Sequence, residues 1–142
     1  MPVRTSDAQW NGPLKSGNGT MRFGGGAWEG PFTFDTRFVN EEGATNPEEL
    51  IAAAFAGCYS MALAGDLGAA GHEPTAIRSS ASVHLDKSDT GFTITSIDLR
   101  TEAEVPGIEE DEFQGIADGT KRNCPVARLL TGAAVSLEAK LI

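Results

Sequence analysis

Two cysteines, Cys58 and Cys124, are the residues in this chain with the most chemical potential. Cys124 lies between Asn123 and Pro125. A proline just inside a helix start is tolerated because its missing N–H has no partner there anyway. The thiol therefore falls at a helix N-terminus, where the backbone dipole favours a thiolate. Local physics ranks Cys124 as the more acidic of the two, and the plain alternative is a cap residue with no chemistry. Cys58 sits inside the uncharged run Leu50–Gly65, where a lone cysteine ordinarily serves as a small core residue. It becomes reactive only with a cation nearby. Together the pair suggests a couple that cycles between dithiol and disulfide.

Two further residues could support that chemistry. Arg37 stands between aromatics in Phe34-Asp35-Thr36-Arg37-Phe38 and is one of few cations near the apolar middle of the chain. It either forms an ordinary surface ion pair or stabilises a thiolate and orients a peroxide oxygen. Glu49 falls three residues after Asn46 and is explained as part of a capping box. Glu48 has no such explanation and can turn its carboxylate elsewhere. On a straight helix it lies about 80° round and about 15 Å along the axis from Cys58. It cannot touch the cysteine of its own helix, but an antiparallel partner helix could bring it to the other copy's thiol.

Other constellations are weaker. His72 and His84 make no C-x-x-C or H-x-x-x-H spacing with the cysteines, so no metal site is expected. Gly24-Gly25-Gly26 lacks the Lys-Ser/Thr of a phosphate loop, and no helix follows it.

The elements that must position these residues centre on Thr45–Gly71. Asn46 is a good N-cap, Pro47 suits the first helical position, and Glu48 and Glu49 complement the dipole. Ala, Leu and Met fill the interior, and Gly71 supplies the stop. The run is apolar all round and too rich in Ala and Gly for a confident membrane span. It reads as a buried core helix of roughly 36 Å. A 142-residue domain, with a radius of gyration of roughly 14–15 Å, could hardly wrap such a rod on every side. A second copy is the simple remedy, and Ala52, Ala53, Ala54, Ala56 and Gly57 allow close approach, so a homodimer is predicted.

Ahead of that helix, Thr20–Phe23 and Phe32–Val39 read as strands paired in a hairpin, with Trp10 and Trp28 packing on them. After it, Ser80–Asp86 alternates, with Ala81, Val83 and Leu85 on one face. Phe92–Val105 makes the second arm of an antiparallel hairpin, with a bulge near Thr95–Ser96 where the apolar phase shifts. Phe113, Ile116, Ala117 and Thr120 predict a helix over Glu110–Lys121. A short helix begins at Asn123-Cys124-Pro125 and ends at Gly132, and Val135–Leu141 closes the chain as a strand. The class is α+β, with antiparallel strands and segregated helices in one domain over residues 1–142.

The net charge of −9 and the absence of any basic stripe exclude a nucleic-acid binder. The start MPVRTSDAQW has no apolar segment of a secretory signal. Two cysteines without an export signal point to reduced thiols in the cytoplasm.

Taken in order, TNPEELIAAAFAGCYSMAL (Thr45–Leu63), NCPVARLL (Asn123–Leu130), FDTRF (Phe34–Phe38), HLDKSDTGFTITSIDL (His84–Leu99) and VPGI (Val105–Ile108) resemble the OsmC/Ohr family of thiol-dependent hydroperoxide reductases, in its OsmC branch. The resemblance covers essentially the whole chain. It implies that Cys58 is the peroxidatic cysteine, which attacks an organic hydroperoxide and becomes a sulfenic acid. Cys124 would be the resolving cysteine, condensing with it to a disulfide. Arg37 would hold the thiolate and Glu48 would orient the arginine. A dithiol, of lipoyl type, would reduce the disulfide. The implied fold is an intertwined α+β homodimer with two central helices and interfacial active sites, without metal or organic cofactor. The competing reading is a non-catalytic dimer whose cysteines sense redox state or line a pocket for an apolar ligand; a purely structural dimer is a third.

Overall fold

Ser6–Asn11 (β1), Asn18–Phe23 (β2) and Glu29–Phe32 (β3) form an antiparallel sheet of order β1-β2-β3 in the computed structural model, which describes Met1–Ile142. The sheet belongs to the first of two compact units, Met1–Leu50; the second is Ile51–Ile142. β2 pairs with β3 rather than with the strand expected over Phe32–Val39, and Gly24-Gly25-Gly26 lies in their turn, with the Gly26 N–H donating to the Phe23 carbonyl at 2.8 Å. Trp10 packs on Phe32 and Trp28 on Phe23, with ring centroids 5.3 and 5.1 Å apart. Gly30 lies directly under the Trp28 indole, where any Cβ would collide. This strand glycine therefore serves close approach rather than flexibility.

The strand expected over Phe32–Val39 stops at Phe32. Phe34–Phe38 is instead a short helix (α1). Thr33, in extended conformation, caps it: its hydroxyl accepts the Thr36 N–H at 3.1 Å, and the Thr36 hydroxyl accepts the Thr33 N–H at 3.0 Å. This reciprocal capping box fixes the helix entry more firmly than strand propensity opposes it.

The central helix (α2) runs over Pro47–Ala69. The Asn46 side chain accepts the Glu49 N–H at 2.8 Å, as expected of the cap. The Glu49 carboxylate does not close the box; it accepts the Thr45 hydroxyl at 2.7 Å. At the other end Gly71 has φ +88°. The Gly71 and His72 N–H groups donate to the carbonyls of Gly68 and Leu67, at 3.0 and 2.9 Å, which is a Schellman stop.

In the second unit Phe55, Tyr59, Leu63 and Leu67 recur every fourth residue along α2 and are fully buried. They share one core with Ile97, Leu99 and Phe113. Ala76–Ser88 (β4) and Gly91–Glu104 (β5) form the antiparallel hairpin. Its register steps at the expected bulge: His84 faces Ser96 and Leu85 faces Ile94, leaving Thr95 unpaired. Glu110–Asn123 (α3) buries Phe113, Ala117 and Thr120, and Pro125–Leu129 (α4) follows. Ala134–Leu141 (β6) then pairs with β5 in parallel, so this one pairing departs from the antiparallel expectation. The α3–α4 segment is the crossover that a parallel pair requires.

Helix α2 is long and apolar enough to cross a membrane by length and composition. One stripe of it builds the core just described. The opposite stripe, Ala53, Ala54, Gly57, Met61 and Gly65, is exposed, with Met61 at 79 %.

Candidate active site

Helix α2 presents Cys58 one residue before the buried Tyr59, and the junction between α3 and α4 presents Cys124. The two sulfurs meet: Cys124 Sγ donates to Cys58 Sγ at 3.2 Å. A disulfide needs about 2.05 Å, so closing it requires a shift of little more than an ångström. Both thiols are free, Cys58 half-buried and Cys124 only 1 % exposed.

Burial pushes the Cys124 thiol above its ordinary pKa. The backbone N–H groups of Ala127 and Val126 pull the other way, but the contact with Cys58 adds to the rise. The expectation that the helix start makes Cys124 an acidic thiol is thereby not met. The helix-start dipole is real but belongs to a five-residue helix, and removal from water outweighs it. In the contact between the two sulfurs, Cys124 is the donor and Cys58 the acceptor.

Tyr59, which sequence reasoning did not single out, lies in the same buried surroundings. Its hydroxyl donates to the Ala117 carbonyl at 3.1 Å. Burial raises its pKa first, and the charges of Asp118, Cys124 and Asp66 raise it further. Its place on the i, i+4 stripe of α2 was the only signal available. Nearby, Thr120 donates to Asp66 at 2.6 Å, which ties α3 to α2.

These shifts have a consequence for stability. Tyr59 and Cys124 both bind protons more tightly in the folded chain than in the unfolded one. Their contribution is complete below the unfolded pKa values and is lost as pH rises through the folded ones. The reduced protein should therefore lose stability on the alkaline side, seen as a falling urea midpoint. Tyr59→Phe should cost about 1 kcal/mol at neutral pH through the lost hydrogen bond. Its midpoint should also fall less steeply above the ordinary tyrosine range than that of the unaltered chain.

In the first unit, Arg37 and Glu48 form a bidentate pair. Arg37 Nε lies 3.1 and 3.3 Å from the two carboxylate oxygens, and Nη2 lies 2.8 Å from Oε1. Glu48 is buried. The Arg37 guanidinium also stands 5.2 Å from the centroid of the Phe38 ring, and Phe34 packs on Phe38 at 4.8 Å. Helix α1 is held in place by the Thr36 hydroxyl on the Thr45 carbonyl and by the Asn46 amide on the Thr36 carbonyl, each 3.0 Å. The carboxylate fixes the Nε/Nη2 edge of the guanidinium, and Nη1 takes no part in these bonds. His72 and His84 are occupied by carboxylates, Glu112 at 3.2 Å and Asp98 at 2.8 Å.

The profile of the OsmC-like protein family matches residues 40–140. The chain is 47% identical over 139 residues to the peroxiredoxin OsmC of Escherichia coli K12, covering 97% of this chain and 96% of that protein. Among solved structures it is similar to an organic hydroperoxide resistance protein OsmC from Legionella pneumophila, with TM-score 0.75, 21% identity and 99% of each chain covered. It is similar as well to an organic hydroperoxide resistance protein from Elizabethkingia anophelis, with TM-score 0.77, 22% identity and 99% of each chain covered. At these identities the two structures speak for the α+β fold alone.

Proposed function

Because the chain belongs to the OsmC-like protein family, we propose that it is a thiol-dependent peroxidase that reduces organic hydroperoxides, and inorganic ones less efficiently. The observation that carries this reading is the contact of the two sulfurs at 3.2 Å. The Cys58 thiolate attacks one oxygen of the hydroperoxide. The O–O bond breaks, the alkoxide leaves and takes up a proton as alcohol, and Cys58 becomes a sulfenic acid. The Cys124 sulfur then attacks Cys58, water departs, and the Cys58–Cys124 disulfide forms. A dithiol, of lipoyl type, returns two electrons and two protons. No metal or organic cofactor enters the cycle.

Arg37 and Glu48 complete the site in this reading. Glu48 anchors the guanidinium by one edge, and the free Nη1 edge meets the thiolate and the peroxide. The exposed apolar stripe of α2 is the seam of a homodimer, and the Arg37–Glu48 pair of one subunit serves the partner subunit's Cys58. The whole chain then works as one domain within a cytoplasmic dimer.

Steady-state kinetics test the activity. With tert-butyl hydroperoxide and excess dihydrolipoamide, each chain should turn over many times. Oxidation that stops after one equivalent would instead identify a redox sensor.

A further inference from the structure

From Gly119 to Leu137 the chain carries no carboxylate, although it holds twenty Asp and Glu in all. Three of its eleven cations fall there, Lys121, Arg122 and Arg128. They flank Cys124 in sequence, and all three line one surface groove of about 380 Å³, floored by Ala127, Leu130 and Val135. Arg122 is held by Asp118 at 2.9 Å, an exposed pair of small energetic worth. Lys121 and Arg128 have no ion-pair partner. Leu129, on the same short helix as Arg128, is 78 % exposed. Two other depressions, one lined by Asp7, Arg22 and Glu29 and one by Arg78, Arg100 and Glu102, mix both signs of charge. The groove beside Cys124 does not.

We propose that this groove docks an acidic face of a protein reductant whose paired thiols reopen the Cys58–Cys124 disulfide; the inference rests on the dithiol cycle proposed above. An open groove with spread cations and an exposed leucine suits a macromolecular face better than a small dithiol, which could meet only one cation at a time. The rest of the chain is strongly acidic and repels such a partner, so attraction is confined to the groove and orients the encounter. Cys124 is buried and Cys58 is half-buried, so the partner's thiolate attacks the Cys58 sulfur and Cys124 leaves. The partner's second thiol then closes on the first. This frees Cys58 and leaves the partner as a disulfide, with two electrons and two protons transferred.

The test uses the full-length protein with its disulfide formed by diamide, so that it does not depend on peroxide chemistry. Three synthetic Cys-x-x-Cys peptides serve as reductants, differing only in Glu, Gln or Lys flanks. The Glu peptide should reduce the disulfide about tenfold faster than the Gln peptide at low ionic strength, and the Lys peptide slower still. The preference should vanish in high salt. It should also vanish in the triple variant Lys121→Gln, Arg122→Gln, Arg128→Gln, whose reduction by uncharged dithiothreitol stays unchanged. Equal rates for the three peptides, or a preference that survives in the triple variant, overturn the docking site and leave the peroxidase reading standing. Loss of turnover in the triple variant only with carboxylate-bearing hydroperoxides would assign the groove to the peroxide and equally overturn the proposal. Failure of diamide to join Cys58 to Cys124 overturns both readings.

Discussion

Cys58→Ser is expected to lower peroxide turnover by at least about a thousandfold, because it removes the proposed nucleophile. Cys124→Ser should behave differently. Without reductant it should consume one equivalent of organic hydroperoxide and stop as a Cys58 sulfenic acid, which trapping and mass spectrometry would reveal. The reasoning is electrostatic and geometric. Cys124 is the more deeply buried thiol, its pKa is raised, and it donates its proton to Cys58 at 3.2 Å. A thiol that keeps its proton is a poor nucleophile toward peroxide. It is well placed to attack a sulfenic sulfur that it already touches. If Cys58→Ser still consumed one equivalent while Cys124→Ser consumed none, the two roles would be reversed.

The ranking of the two cysteines illustrates what a sequence can carry. The helix start at Cys124 was legible because capping is decided by neighbours such as Pro125. Its burial was not, because burial depends on residues far along the chain. The same division holds elsewhere. The Asn46 cap, the Gly71 stop and the Thr95 bulge are local, and each was readable. The segment after Phe32 misled because Phe32, Phe34, Thr36 and Phe38 alternate like a strand. The deciding signal was the Thr33–Thr36 capping box, with threonine where Glu or Gln is usual. β1 escaped notice because SDAQWN has no apolar alternation; only Trp10 is half-buried. The parallel direction of β6 was equally hidden, since alternation fixes faces and not direction. Of the proposed site, the four residue types were legible. The sulfur contact and the bidentate Arg37–Glu48 pair were not, since each joins positions distant in sequence.

Gly57→Glu is expected to give a monomer and to lower peroxidase activity by at least about a hundredfold. Gly57 lies on the exposed stripe of α2, and a Cβ built there meets no atom within 4 Å. The substitution therefore fits a lone chain. Replacing a helix-interior glycine by glutamate should even favour the helix by a few tenths of a kcal/mol or more. In a dimer sealed along this stripe, two copies of the new carboxylate would be taken out of water without partners, at a cost of several kcal/mol each. Sedimentation should then show the 14.9 kDa chain with its helical circular dichroism intact. The loss of activity follows from the reach of Glu48. About 15 Å of helix separates it from Cys58 of its own chain, so in the proposed dimer the Arg37 that it anchors serves the thiol across the seam. An active monomer would remove the need for a partner's Arg37. A Gly57→Glu protein that stayed dimeric would move the seam off this face of the helix.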